Sequence, residues 1–230
     1  YPEGDPALRQ PTPQSVASIT MDDIKAYYRS VFRPDLTVMV VIGDVTPDQA
    51  QAAIEKYFGG WKAVGPKPET DLPPVPLNKP SEAAVPDASR VQDAVALAQI
   101  LGLTRSDPDY YTLQVGNHVL SGAFYATRLY HDLREKAGLV YTVESLLDVG
   151  KTRSSFQVFY ACDPPNVSRA ADLIKRDLRV MQTSPVSARE LQQAKTLLLK
   201  EIPLSESSFD GIGEKLLRQV LLDLPLDESF

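Results

Sequence analysis

A dense run of prolines divides this chain more sharply than any other feature of its sequence. Seven prolines fall between Pro66 and Pro86. Because proline lacks a backbone N–H and fixes φ, neither a helix nor a central strand tolerates that density. Residues 63–90 are therefore predicted to form a semi-rigid, extended linker. The chain has 230 residues, enough for two modest domains, and the linker places the boundary between residues 1–62 and residues 91–230.

The residues before the linker predict a helix, a strand and a second helix. Thr20 is suited to cap a helix because Asp23 follows three positions later, and apolar residues then recur at helical spacing. The continuous apolar, β-branched run 36–42 predicts a buried strand. The Thr-Pro-Asp-Gln run 46–49 is a typical start for the second helix, which two glycines at 59–60 end.

The residues after the linker predict an α+β domain. Residues 95–103 are typical of a buried strand, Asp107 begins a helix, and residues 125–136 predict a short amphipathic helix. Alternating apolar residues in 139–147 and 156–160 predict a hairpin, and three further helical patterns follow. This order favours a two-layer fold with a mostly antiparallel sheet and helices on one face, incomplete at both ends.

Charge and hydropathy exclude two classes of function. The net charge is −6, and the basic residues are scattered, whereas nucleic-acid binding needs a clustered positive surface. No run of 18 apolar residues occurs, so the sequence predicts no membrane span. The single cysteine, Cys162, cannot form a disulfide within the chain.

Zinc chemistry has no visible ligand set in this chain. A zinc peptidase needs three protein ligands and a general base near the bound water. The two histidines, His118 and His131, are 13 positions apart, and no cysteine cluster accompanies them. We interpret His131 as a surface helix residue and predict no metal ligand and no zinc-dependent catalytic residue in this chain.

One segment carries a family resemblance. Residues 127–143, which we call the signature segment, read Thr-Arg-Leu-Tyr-His-Asp-Leu-Arg-Glu-Lys-Ala-Gly-Leu-Val-Tyr-Thr-Val. This run resembles the second-half signature of the pitrilysin family of zinc metallopeptidases, which includes insulin-degrading enzyme and the mitochondrial processing peptidases. Thr127 replaces the usual serine and Val140 the usual alanine. The order of the flanking elements also resembles the family over nearly the whole chain.

The resemblance implies a domain assignment. Residues 1–62 are expected to be the C-terminal part of one family domain, residues 63–90 the linker, and residues 91–230 a truncated second domain without zinc. The sequence lacks an initiator methionine and stops just after an apolar helical pattern, so we expect it to be a piece of a longer protein.

The resemblance also implies two substrate-contacting residues. In the family, the zinc-free domain supplies an arginine and a tyrosine seven residues apart, and here these positions are Arg134 and Tyr141. A guanidinium and a phenol hydroxyl are donors that can stabilise an oxyanion or hold peptide backbone. The residues alone leave other interpretations open: Arg134 could be a solvated helix residue paired with Asp132 or Glu135, and Tyr141 could belong to the core. Arg128 is interpreted as structural.

The function that the resemblance implies is that of a substrate-gripping, non-catalytic region of a zinc metallopeptidase, which cleaves peptides between two half-shells. The zinc would belong to the parent protein, with ligands outside this chain. The expected partners are a zinc-bearing domain, in the same or a partner chain, and a peptide substrate. Two alternatives remain: a zinc-free scaffold or peptide-binding subunit of the same fold, and an unrelated α+β binding module. Exported two-domain members of the family favour the bacterial periplasm over the cytoplasm.

Overall fold

A computed structural model describes residues 1–122 and 126–228. Before the linker lie α1 (Pro13–Ala17), α2 (Met21–Val31) and α3 (Pro47–Phe58). After it the order is β1 (Asp93–Leu101), α4 (Tyr110–Asn117), a π-helical turn (His118–Gly122), a second π-helix (Tyr130–Lys136), β2 (Val143–Val149), β3 (Ser154–Cys162), α5 (Val167–Thr183), α6 (Ala188–Ser205) and α7 (Phe209–Leu221). Short 3-10 turns cover Pro6–Leu8, Pro34–Leu36 and Pro164–Asn166.

The chain divides into two compact units. One comprises Tyr1–Leu72 with Leu204–Phe230, and the other comprises Pro73–Pro203. The division falls at Leu72, inside the predicted linker, and the last residues group with the first unit. The assignment of residues 1–62 and 91–230 to two successive family domains stays a prediction.

Among its described residues, the first unit contains both predicted helices but no strand. Thr20 and Thr46 each cap a helix through a reciprocal capping box, as their sequences predict. The prediction of a buried strand over 36–42 is wrong for the described chain. A strand needs a ladder partner for its N–H and C=O groups, and none of the described residues pairs with this run. The side chains of this run are correspondingly accessible to solvent, and Val41 is 52% exposed.

The second unit is built on a three-stranded antiparallel sheet with the order β1-β3-β2. The predicted hairpin is confirmed, with β2 and β3 in register from Val143 opposite Tyr160 to Val149 opposite Ser154. Its first strand starts later than predicted, at Val143 rather than at residue 139. The predicted strand 95–103 forms as β1, but β1 is an outer strand of the described sheet and is partly exposed rather than buried.

Helices cover one face of this sheet. Val143, Val158 and Tyr160 project from β2 and β3 into a core that also contains Leu129, Leu133 and Ile174. The opposite face leaves Leu146 and Phe159 exposed. The α+β class with an antiparallel sheet and helices on one face is therefore confirmed. None of the helices among the described residues combines the length and apolar character that a bilayer crossing requires.

Candidate functional site

The signature segment folds as a π-helix followed by a sharp reversal. The Ala137 N–H donates to the Asp132 carbonyl five residues back, at 3.2 Å. Gly138 then adopts a left-handed φ of 61°, which favours glycine, and ends the helix. The Leu139 N–H donates to the Leu133 carbonyl at 2.9 Å, and both leucine side chains are buried. The chain thereby turns back so that residues 134 and 141 lie side by side.

The predicted helix over residues 125–136 is present with altered geometry. Residues 128 and 129 are α-helical, and the π-helix continues to Lys136. Residue 125 lies outside the described residues. Tyr141, which the sequence placed on a strand, lies in the bend just before β2 instead.

Arg134 and Tyr141 contact each other directly. The Arg134 guanidinium carbon lies 4.6 Å from the centre of the Tyr141 ring and 5.1 Å from that of Tyr130. Nη1 of Arg134 also donates a hydrogen bond of 2.9 Å to the Tyr141 backbone carbonyl. Attraction between the cation and the two ring faces adds to this hydrogen bond. Two phenol rings and one carbonyl thus hold the guanidinium in place.

Both functional groups reach the surface, with Tyr141 exposed and Arg134 half-buried. Tyr141 is 72% exposed, so it is not a core residue. Within residues 1–122 and 126–228 its hydroxyl makes no hydrogen bond, and Arg134 forms no ion pair with Asp132 or Glu135. The arrangement presents a phenol hydroxyl and the remaining guanidinium N–H groups as adjacent donors, which suits a peptide carbonyl or an oxyanion.

Arg128 has a different environment. Its Nε and Nη2 donate to the two carboxylate oxygens of Glu190, at 2.7 and 3.0 Å. The Arg128 guanidinium holds the pKa of Glu190 well below its usual range, at about 2, and the same carboxylate raises the pKa of Arg128. Glu190 also forms a capping box with Ser187 at the start of α6. This pairing supports the structural interpretation of Arg128.

Sequence reasoning missed a second charged group beside the site. Asp132 accepts hydrogen bonds from Lys136, at 3.0 Å, and from Arg176 of α5. Arg176 also donates to Asp177, whose side chain is only 6% exposed and whose pKa is raised by that burial. One sequence signal was available, because Asp177 follows Ile174 by three residues, which places a charged side chain on the apolar face of α5.

The histidines and the cysteine do not converge on a site. The side chain of His131 is 51% exposed, consistent with a surface helix residue, and its Nδ1 lies 3.5 Å from Asp132. His118 is mostly buried beside Glu201. Burial raises the pKa of the Cys162 thiol, which suits an inert residue better than a nucleophile.

The described part of this chain has no group of residues that fits a zinc ion. Among the described residues, no three histidine, cysteine, aspartate or glutamate side chains are grouped so that they could hold a metal. The carboxylate next to His131 belongs to Asp132, which is already engaged by Lys136 and Arg176.

Comparison with known proteins defines the class of the molecule. The family model described as the peptidase M16 inactive domain matches residues 18–198. The chain is also similar to a solved structure described as a peptidase M16 inactive domain from Pseudomonas fluorescens, with a TM-score of 0.79 and 25% identity over 93% of this chain and 50% of that one.

Two curated relatives come from Bacillus subtilis (strain 168). One, named "probable inactive metalloprotease YmfF", is 26% identical over 93% of this chain and 49% of its own length. The other, named "uncharacterized zinc protease YmxG", is 24% identical over 86% of this chain and 46% of its own length. This chain therefore spans about half the length of the curated relatives it matches.

The fold and the sequence define an inactive-domain member of a metallopeptidase family. This chain belongs to the peptidase M16 inactive domain family, which confirms the family resemblance of the signature segment. Relatives are named zinc proteases, which associates the family with zinc.

Proposed function

We propose that this chain is the substrate-gripping, non-catalytic region of a zinc metallopeptidase that cleaves peptides between two half-shells. In this proposal Arg134 and Tyr141 contact the peptide, while zinc is held by a domain of the same fold in the same or a partner chain. Membership of the inactive domain family supports the non-catalytic role. The observation that carries the proposal is the exposed contact between the guanidinium and the phenol.

The geometry supports a role in holding backbone and stabilising charge. The Arg134 side chain is fixed by a hydrogen bond and two rings, so little rotamer entropy is lost when its remaining donors meet a ligand. The Tyr141 hydroxyl is a second donor on the same surface. Each donor to a developing oxyanion accounts for about 10²-fold in turnover in enzymes of known mechanism.

The proposal is tested in the protein that combines this chain with its zinc-bearing domain. We expect Tyr141→Phe and Arg134→Gln each to lower kcat for an internally quenched peptide by about 10²-fold, because the first removes the phenol hydroxyl and the second replaces the charged guanidinium with a neutral, shorter amide. Circular dichroism should be unchanged. Tyr57→Phe is the matched control, since Tyr57 is 73% exposed and lies in the other compact unit. Unchanged kcat in both site variants would refute the assignment.

A second candidate function follows from the name of one relative. Because that relative is named a probable inactive metalloprotease, a zinc-free scaffold or peptide-binding subunit is the alternative for this chain. A His-x-x-Glu-His helix in the accompanying domain, together with peptide cleavage that a chelator abolishes, would favour the peptidase. Peptide binding weakened by Arg134→Gln, with no cleavage at any zinc concentration, would favour the subunit.

A further inference from the structure

We infer that Asp132 and Arg176 are positioning residues, which act through Arg134 by holding the π-helix in the form that brings Arg134 onto Tyr141. The position of Arg134 beside Tyr141 depends only on contacts within this chain. The consequence of that position for peptide turnover rests on the proposed function of Arg134 and Tyr141.

The π-helix needs support from outside itself. π-helical turns are rare because their geometry is less favourable than that of the α-helix, and they occur often at functional sites. Here the i to i−5 bond runs from the Ala137 N–H to the carbonyl of Asp132, so Asp132 stands at the start of the widened turn. Arg134 lies inside that turn. A change from π to α geometry would rotate Arg134 relative to Tyr141.

The side chain of Asp132 supplies the support. One carboxylate oxygen accepts from Lys136 at 3.0 Å, which spans the turn from within. The other accepts from Nη2 of Arg176, which ties the turn to α5. Each contact is charge-assisted, and the Asp132 side chain is only 22% exposed, so solvent screening is reduced.

Buried residues of α5 fix the helix that carries Arg176. Nε and Nη2 of Arg176 also donate to Oδ1 of Asp177, at 3.0 and 2.7 Å. Asp177 is buried, and Ile174 on the neighbouring turn of α5 is fully buried in the core. The Arg176 guanidinium therefore links a carboxylate fixed in the packed interior to one at the start of the π-helix. No other residue pair in the described chain joins α5 to Asp132 by an ion pair.

The first experiment measures the environment of the Tyr141 ring and needs no enzyme activity. The 230-residue chain is labelled with fluorotyrosine, and Tyr141→Phe identifies the Tyr141 resonance in the 19F spectrum. We expect Asp132→Asn and Arg176→Gln each to shift this resonance, because the guanidinium leaves the ring. The conservative variant Asp132→Glu should restore most of the wild-type position. The controls are Asp172→Asn and Arg179→Gln, exposed residues of the same helix. An unmoved Tyr141 resonance in Asp132→Asn would overturn the inference.

The second experiment is a double-mutant cycle on turnover in the protein that carries the zinc-bearing domain. Asp132→Asn is expected to lower kcat about tenfold with a smaller change in KM, because a misplaced donor stabilises the transition state less well. In the Arg134→Gln background the same substitution should have no further effect. Fully additive losses would overturn the inference. If Arg134→Gln and Tyr141→Phe both leave kcat unchanged, the proposed function fails, and the fluorine spectrum still decides whether Asp132 positions Arg134.

Discussion

Arg128 and Glu190 lie 62 residues apart in the chain and form a two-bond ion pair. The same Glu190 carboxylate accepts the Ser187 N–H at 2.8 Å, at the start of α6. One side chain therefore caps α6 and joins it to the signature segment. Forked arginine–carboxylate contacts are the strongest common form of ion pair because two hydrogen bonds share one geometry.

Removing the Glu190 charge should destabilise the second unit. We expect Glu190→Gln to lower the free energy of unfolding by about 1 to 2 kcal/mol, because the charge on Arg128 loses its partner and the α6 cap weakens. Urea denaturation followed by circular dichroism gives the value. Glu206→Gln is the control, since Glu206 pairs with Lys215 on a more exposed surface. Equal losses in the two variants would contradict a special role for Glu190.

The same ion pair predicts a pH dependence of stability. The folded-state pKa of Glu190 is about 2, below its ordinary value of 4.5, so the ionised carboxylate stabilises the fold above pH 4.5. This contribution is lost as the pH falls from about 4.5 to about 2. In that window the free energy of unfolding should fall less steeply for Glu190→Gln than for the wild type. Parallel curves from urea titrations at several pH values would refute the pKa assignment.

Asp177 predicts a pH effect of the opposite sign. Burial raises its folded-state pKa above the ordinary value of 3.8, so folding favours the protonated form. Its contribution to stability is present at pH values below 3.8 and is lost as the pH rises through the raised folded-state pKa. We expect Asp177→Asn to remove this loss, which urea titrations between pH 4 and pH 7 would measure. Asp172→Asn, on the exposed side of α5, should keep the wild-type slope.

Local patterns predicted the helices and the hairpin because their determinants lie close together in sequence. The Thr20 and Thr46 caps each depend on a residue three positions away, and both form. The strand expected over 36–42 failed because a strand also needs a ladder partner, which no local pattern supplies. The position of β1 at the outside of the described sheet could not be predicted for the same reason, because it depends on which strands pair.

The candidate site was predictable only in part. The residue types and the seven-residue spacing of Arg134 and Tyr141 came from the family resemblance, whereas their contact depends on the left-handed turn at Gly138. The link between Asp132 and Arg176 joins residues 44 positions apart. Such pairings follow from tertiary packing, so a single sequence can show a misplaced charge on a helix face but not its partner.

Gly138, the one glycine of the signature segment, should be sensitive to substitution. Its φ of 61° strains any side chain with a β-carbon, although no atom lies within 4 Å of the position that carbon would take. We expect Gly138→Ala to cost about 1 kcal/mol in unfolding free energy and to shift the fluorotyrosine signal of Tyr141. Gly138→Asn should cost less, since asparagine tolerates this conformation. Gly60→Ala, at an open position with ordinary φ, is the control. A loss at Gly60 as large as that at Gly138 would contradict the argument.

Arg33 should protect the beginning of the linker from proteolysis. Its side chain is 6% exposed, donates to both carboxylate oxygens of Asp35 and also donates to the backbone carbonyls of Val64, Gly65 and Pro66. Arg33→Ala removes all these bonds and leaves residues 64–66 without their side-chain donor. Because proteolysis follows local opening, glutamyl endopeptidase should cleave after Glu69 several-fold faster in this variant.

Mass spectrometry of timed digests measures the rate at Glu69 against that at Glu3, which lies in the exposed N-terminal residues and serves as an internal reference. Arg29→Ala, an exposed arginine near the end of α2, is the matched control and should leave the rate at Glu69 unchanged. Cleavage at Glu69 that is equally fast in the wild type and in Arg33→Ala would mean that the three carbonyl contacts do not restrain the linker. Faster cleavage confined to Arg33→Ala would show that one buried guanidinium fixes where the extended segment begins.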